Sequence, residues 1–206
     1  MLFEFTREFV FYKEIDSREL VDNHLLKCIS DRRNQLDEPW RLCNAQSSYI
    51  KPLEFNSFMY DNLVLDNVLW NPLDEMMGEI SSFSNIPKSS VCSNAWFNIY
   101  RTGAYQEVHD HTDIIEVHDN NTYYSSYSAI YILKDGGVPN STVFTKKVDI
   151  LGPKLSRRQN MNTGNYDNIK AGVVVIFPSN LDHFVLPHIG VDDRITLSFN
   201  IYSYYG

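Results

Sequence analysis

At 206 residues, 43% of them hydrophobic and 21% charged, the chain has the composition of a folded globular protein and not of a disordered or collagen-like one. Eighteen Lys and Arg against 26 Asp and Glu leave a formal charge of −8, which excludes a face-wide basic surface, so nucleic acid is not an expected partner. Aromatic residues at 14%, with 13 Tyr and 12 Phe, favour sheet over helix.

Residues 1–13 read as a strand, with Phe3, Phe5, Phe9 and Phe11 at even intervals. Glu4, Arg7 and Glu8 interrupt that apolar stretch, so it is not a signal peptide. No apolar run approaches the ~20 residues that span a bilayer, and no membrane is expected. Cys28, Cys43 and Cys92 are widely spaced without a C-x-x-C pair. Three reduced, buried thiols in a cytoplasm are expected, the host's if the source is a virus.

A helix follows. Asp16 and Glu19 have capping-box spacing, and Leu20, Val21, His24, Leu25, Cys28, Ile29, Arg32 and Leu36 trace its apolar stripe. His24 reads as a boundary residue of the core. Residues 37–65, with Pro39 and Pro52, read as irregular. A second helix is expected from Asn71 as N-cap, with Pro72 at the first helical position and Asp74 and Glu75 in the first turn. Met76, Met77, Ile80 and Phe83 form its buried side, and residues 85–87 end it.

Everything beyond Val91 reads as strands: 92–101, 104–113, 123–133, 142–150, 172–178, 182–188 and 194–204. The stretch 135–170 is polar and poorly periodic, as expected of a surface loop, and Lys146, Lys147, Lys154, Arg157 and Arg158 make it locally basic. The expected architecture is mainly β with some α: a double-sheet jelly roll, a double-stranded β-helix, with two N-terminal helices on one outer face. The whole of 1–206 is expected as one domain, residues 1–90 supporting a core built from 91–206.

The chemistry concentrates in a His-rich run, His109-Asp110-His111-Thr112-Asp113, with a distant His183 and then Arg194. Side chains two apart on a strand share a face, so His109, His111 and Asp113 point together while Asp110 and Thr112 point away. His109 with His111, or His111 with Asp113, supplies two neighbouring ligands, and the residues leave that choice open. His183 follows the turn Phe177-Pro178-Ser179 and opens the next strand, where it can meet the run at the mouth of a barrel. Three protein ligands on one face of an octahedral ion leave three positions open. His118 and His188 are expected to face solvent.

The last strand alternates cleanly. Ile195, Leu197, Phe199 and Ile201 form a face to pack on helices; Arg194, Thr196, Ser198 and Asn200 look into the barrel. A buried Arg there requires an anion, and a guanidinium grips a carboxylate through a bidentate fork. Thr196 can add a hydroxyl to the same carboxylate.

Four stretches carry a family resemblance: Trp96-Phe97-Asn98-Ile99-Tyr100, the run from Gly103 to His111, Phe177-Pro178-Ser179 with His183, and Arg194 to Asn200. Residues 91–202 resemble the 2-oxoglutarate/Fe(II) oxygenases of bacteria and marine phages. The resemblance implies a double-stranded β-helix, Fe(II) at the His-rich run and His183, and 2-oxoglutarate on Arg194, with Thr196, Asn98 and Tyr100 beside it. The prolyl-hydroxylase-like group also shows a Tyr, a Gly and the first ligand His in order, as Tyr100, Gly103 and His109 do. Spacing from Gly103 lands on His109 and His111, whereas a literal H-x-D triplet lands on His111 and Asp113. The stretch 114–124 is longer than the family's link to its next strand.

The implied activity is a dioxygenase that uses Fe(II), O₂ and 2-oxoglutarate, releases succinate and CO₂, and hydroxylates an unidentified substrate. Two other readings stay open. One is a three-His metal dioxygenase without 2-oxoglutarate, in which Arg194 pairs with Asp192 or Asp193. The other is a non-catalytic, phage-accessory protein on the same fold. A homodimer is one option for the assembly.

Overall fold

The computed structural model describes residues 9–40, 43–82, 85–112, 116–118, 120–139, 141–149, 156–160 and 169–206. In chain order it contains β1 (Phe11–Glu14), α1 (Arg18–Arg32), β2 (Asp37–Trp40), β3 (Ala45–Ser47) and a 3-10 stretch, Leu53–Tyr60. A continuous helical run follows: α2 (Asn62–Val64), a π-helical segment (Leu65–Trp70) and α3 (Asn71–Ile80). Then come β4 (Ser89–Tyr100), β5 (Gln106–His109), β6 (Glu116–His118), β7 (Asn121–Lys134), β8 (Thr142–Asp149) and β9 (Ser156–Asn160). The chain finishes with β10 (Val173–Pro178), β11 (His183–Val185) and β12 (Arg194–Tyr204).

These strands make two antiparallel sheets, and the fold is the expected jelly roll. The larger sheet has the order β1-β10-β7-β12-β4-β3-β2, with β6 paired to β7, and the smaller has the order β5-β11-β8-β9. Alternation along β12 sets the layers. Ile195, Leu197, Phe199 and Ile201 join Val21, Leu25, Val68 and Met76 in the core between helices and large sheet. On the opposite face of that sheet, Ile130, Ile132, Val175 and Phe177 meet Phe144 of the smaller sheet in a second core.

Several elements differ from the sequence expectation. Residues 1–8 of the first expected strand lie outside the described residues, and β1 occupies only Phe11–Glu14. The N-cap of α1 is Ser17, without a side-chain bond, so Asp16 and Glu19 form no capping box. Its buried face is Val21, Leu25 and Ile29, at i, i+4 and i+8, while Leu20, about 100° round the helix, is 61% exposed. His24 sits at the boundary and meets Asp61 at 2.8 Å.

The second helical run begins nine residues before Asn71, at Asn62. Asp61 caps it by accepting the Leu63 N–H at 2.9 Å, and Val64, Val68 and Leu69 extend the buried stripe upstream. The wide π turn precedes Pro72, which has no N–H to offer the preceding turn. Phe83 lies outside the described residues.

The stretch expected as a polar loop holds a β-ladder, with β8 paired to β9 from Thr145↔Asn160 to Asp149↔Ser156. Ser156–Asn160 has no apolar alternation in its sequence, and its backbone pairs with β8. His188, expected in solvent, is 1% exposed. Its Nε2 meets the Asp192 carbonyl at 2.7 Å. Gly136, at φ +64, and Gly190 leave room for the ring, since a Cβ on either would come within 2.7 Å of it. The side chain of His118, on β6, lies outside the described residues.

Candidate metal centre and anion pocket

His109 closes β5 and His183 opens β11, and the two are register partners across the smaller sheet. Their ring centroids are 4.3 Å apart. The expected strand over 104–113 stops at His109 because Asp110 turns the chain, its Oδ1 accepting the Thr112 N–H at 3.1 Å. His111 therefore joins the group from a turn. Its N–H donates to the Ser179 carbonyl at 2.8 Å, and its carbonyl accepts the Ser125 hydroxyl at 2.9 Å. Its ring lies 5.2 Å from His109 and 4.9 Å from His183. One nitrogen from each of the three lies within 4.8 Å of the others. Asp113 lies outside the described residues.

The hydrogen bonds of the rings assign their tautomers. Nδ1 of His109 meets the Glu107 carbonyl at 2.8 Å, Nδ1 of His111 meets Asn200 Oδ1 at 2.8 Å, and Nδ1 of His183 meets the Leu181 carbonyl at 3.1 Å. Each partner is an oxygen acceptor, so each Nδ1 carries the proton and each Nε2 keeps its lone pair. Gln106 agrees with this: its Oε1 accepts the Tyr100 hydroxyl at 2.8 Å, which turns its Nε2 amide toward His109 Nε2 at 3.4 Å. Burial pulls His111 down to about 4, and the electrostatic influence of the neighbouring His109 adds to the shift. Burial likewise holds His183 well below its ordinary 6.5. Two of the three rings are therefore neutral donors at neutral pH, and imidazole nitrogen suits Fe, Zn, Ni or Cu.

Beside the histidines, Arg194 opens β12 as a 2% exposed guanidinium. One Nη donates to Thr142 Oγ1 at 2.9 Å, and Cζ lies 5.0 Å over the Tyr100 ring. The other, Nη1, is buried and has no hydrogen-bond partner among the described residues. Among the described residues no carboxylate pairs with Arg194; Asp193 pairs instead with Arg33 at 2.5 Å. Burial lowers Arg194 from its ordinary value and pushes the Tyr100 phenol up to about 12, against the pull of the nearby guanidinium. Asn98, Tyr100 and Thr196 line the same narrow cavity as Arg194 and the three histidines. Asn98 Oδ1 and Trp96 Nε1, on the same cavity wall, are also buried without a partner among the described residues. A buried guanidinium nitrogen left open in so narrow a slot suits an anionic ligand with a forked carboxylate.

On the other side of the histidines lies an open groove of about 360 Å³. Its walls are the edge-to-face pair Tyr49 and Trp96, 5.0 Å apart, and the carboxyl groups of Glu107 and Asp110. The buried Cys43 thiol holds Glu107 through a 2.6 Å hydrogen bond.

Seven of the eight predicted site residues thus line one cavity. Thr142, Gln106 and Asn200 escaped the sequence reading. Thr142 and Gln106 come from strands whose crossing no local pattern marks. Asn200 carried a usable signal, since it shares the polar face of β12 with Arg194.

The chain matches a family model described as "Putative 2OG-Fe(II) oxygenase" over residues 94–200, more than half its length. Among solved structures it is similar to a Pseudomonas putida prolyl-4-hydroxylase, with 16% identity, 97% of this chain and 94% of that one covered, and a TM-score of 0.52. HygX from Streptomyces hygroscopicus, with nickel and 2-oxoglutarate bound, is 10% identical over 95% of this chain and 82% of its own, at a TM-score of 0.54. The non-heme α-ketoglutarate-dependent carbocyclase SnoK is 13% identical over 93% and 79%, at 0.56. No curated protein matches the sequence. The structural likenesses bear on the fold alone; with the family match over the segment that holds all seven of the predicted site residues in the cavity, the chain belongs to the 2-oxoglutarate/Fe(II) oxygenases, oxidoreductases that depend on Fe(II) and 2-oxoglutarate.

Proposed function

We propose that His109, His111 and His183 hold the iron through their Nε2 atoms, and that Arg194 receives the far carboxylate of 2-oxoglutarate. The observation that carries this reading is the buried, open Nη1 of Arg194 in the same cavity as three convergent imidazoles. Thr142 holds the guanidinium in place, Thr196 offers a hydroxyl to the same carboxylate, and Asn98 and Tyr100 complete the pocket wall. When bound, iron supplies the oxidative chemistry by which 2-oxoglutarate becomes succinate and CO₂ and a substrate is hydroxylated. His109 is the third ligand in this reading, because it faces His183 across the ladder and its Nδ1 proton is committed to a carbonyl. Substrate enters by the groove between Tyr49 and Glu107. The three free thiols favour a reducing compartment such as the cytoplasm.

An anaerobic titration tests the assignment. Iron and 2-oxoglutarate together should give a metal-to-ligand charge-transfer band in the wild type, and His183→Ala should abolish it. His109→Ala should lose tight iron binding while Asp113→Ala keeps it. The reverse pattern would move the third ligand to Asp113.

A further inference from the structure

We propose that Asn200 is a positioning residue for the metal centre, holding His111 in the tautomer and rotation that present Nε2 to the metal. This rests on the reading of His111 as a ligand. The three histidines are not held alike. His109 and His183 give their Nδ1 protons to main-chain carbonyls, of Glu107 and Leu181, so no substitution can delete those acceptors. His111 alone gives its proton to a side chain, Asn200 Oδ1 at 2.8 Å.

The surroundings of His111 leave that bond to decide the ring. Its backbone is pinned at both ends, to Ser179 and Ser125. Its ring packs against Trp96 at 5.6 Å and 32°, and in a T-shaped contact with Phe177 at 6.2 Å and 73°. Aromatic packing fixes the plane of an imidazole but does not tell Nδ1 from Nε2, nor one flip of the ring from the other. Only a hydrogen-bond partner makes that distinction. An amide oxygen at Nδ1 requires the proton there, which is the state a metal at Nε2 needs.

The strand delivers Asn200 to this position in a particular way. Asn200 is 8% exposed and lies on the face of β12 that also carries Arg194. The ladder with β4 shifts register between Asn200 and Ile201, leaving Ser93 unpaired opposite them. Such a bulge re-aims the side chains beside it. One strand thus carries the proposed cosubstrate clamp at its start and the support of a metal ligand six residues on.

The test compares Asn200→Leu and Asn200→Asp with the wild type. Long-range ¹H–¹⁵N correlation spectra of the metal-free protein should show His111 protonated at Nδ1 in the wild type and in Asn200→Asp. Asn200→Leu should lose that preference. Chelator competition with Co(II) should show about 10- to 100-fold weaker binding in Asn200→Leu. Asn200→Asp, with a stronger acceptor of the same size, should bind at least as tightly as the wild type. KM for 2-oxoglutarate should stay unchanged in both variants. The proposal is overturned if Asn200→Leu keeps the wild-type tautomer, or if it keeps the wild-type Co(II) affinity. Should Asn200→Leu not fold, weaker Co(II) binding by Asn200→Asp, or loss of its Nδ1 proton, overturns it equally. If the wild type takes up no metal, the ligand assignment fails, and the spectra still decide whether Asn200 sets the tautomer.

Discussion

Replacing Arg194 by Met should move the stability and the cosubstrate affinity in different directions. The Arg194 guanidinium is 2% exposed, with one Nη on Thr142 and no hydrogen-bond partner for Nη1 among the described residues. A buried polar group without a partner costs roughly 1–3 kcal/mol, and Met removes that cost. Met also keeps most of the stem that packs on Tyr100, and a volume-conserving change of this kind costs less than about 1.5 kcal/mol. The unliganded variant should therefore melt at or above the wild-type temperature. Binding behaves oppositely. Truncating one partner of a buried charge pair costs about 2–5 kcal/mol, a loss of roughly 30-fold to several-thousand-fold in affinity. The assay is thermal denaturation of the Zn(II)-loaded protein with and without 2-oxoglutarate. At a ligand concentration 100 times Kd the wild type gains about 2.7 kcal/mol, or roughly 5–11 °C for a chain of this size. Arg194→Met should show almost none of that shift. A variant that keeps the full shift would refute the clamp; one that melts well below the wild type without ligand would refute the claim that the guanidinium is unsatisfied.

One further outcome concerns pH and another the glycine turn beside His188. His111, at about 4, and His183, well below 6.5, protonate only after the unfolded chain has done so. The unfolded state then binds more protons between pH ~6.5 and ~4, so the metal-free protein loses stability as pH falls through that window, by at most about 3 kcal/mol from His111. Urea midpoints should fall from pH ~7 to ~5 in the wild type and much less in a His111→Asn, His183→Asn double variant; equal slopes would contradict the assignment. Gly136→Ala places a Cβ 2.5 Å from the Asp192 carbonyl and 2.6 Å from the His188 ring, at φ +64. It should cost more than about 2 kcal/mol and weaken 2-oxoglutarate binding by displacing the start of β12, whereas Gly137→Ala, with no neighbour within 4 Å of its Cβ, should lower stability without touching affinity.

The parts of the fold that alternate were legible from residues alone. Along β12, apolar and polar residues take turns without interruption, and the structure buries Ile195, Leu197, Phe199 and Ile201 under helices while Arg194 and Thr196 line the cavity. The start of the second helical run was not legible, because Pro72 is a strong local signal for a first turn, and the π segment that tolerates it inside a helix leaves no mark in composition. β9 escaped for a related reason: Ser156–Asn160 is held by main-chain bonds to β8, which any residue but proline can make. His188 looked like a surface residue because its burial depends on Gly136, more than fifty residues away. Within the site, seven of the eight side chains proposed to bear the chemistry line one cavity, and spacing was enough to name them as candidates. Their partners could not be named that way, since Thr142 reaches Arg194 only after two sheets have closed on each other.

The two halves of the site belong to different sheets. His109 and His183 stand on the smaller one, Arg194 and Thr196 on the larger. The Arg194–Thr142 bond joins them across this gap. A 2-oxoglutarate molecule held by the metal at one end and the guanidinium at the other would be a non-covalent cross-link between the layers. The strands that carry the histidines are short, β5 with four residues and β11 with three, so they gain most from such a tie. Loading the cosubstrate would then finish the fold at its thinnest point, and the same event that readies the enzyme would also stiffen it.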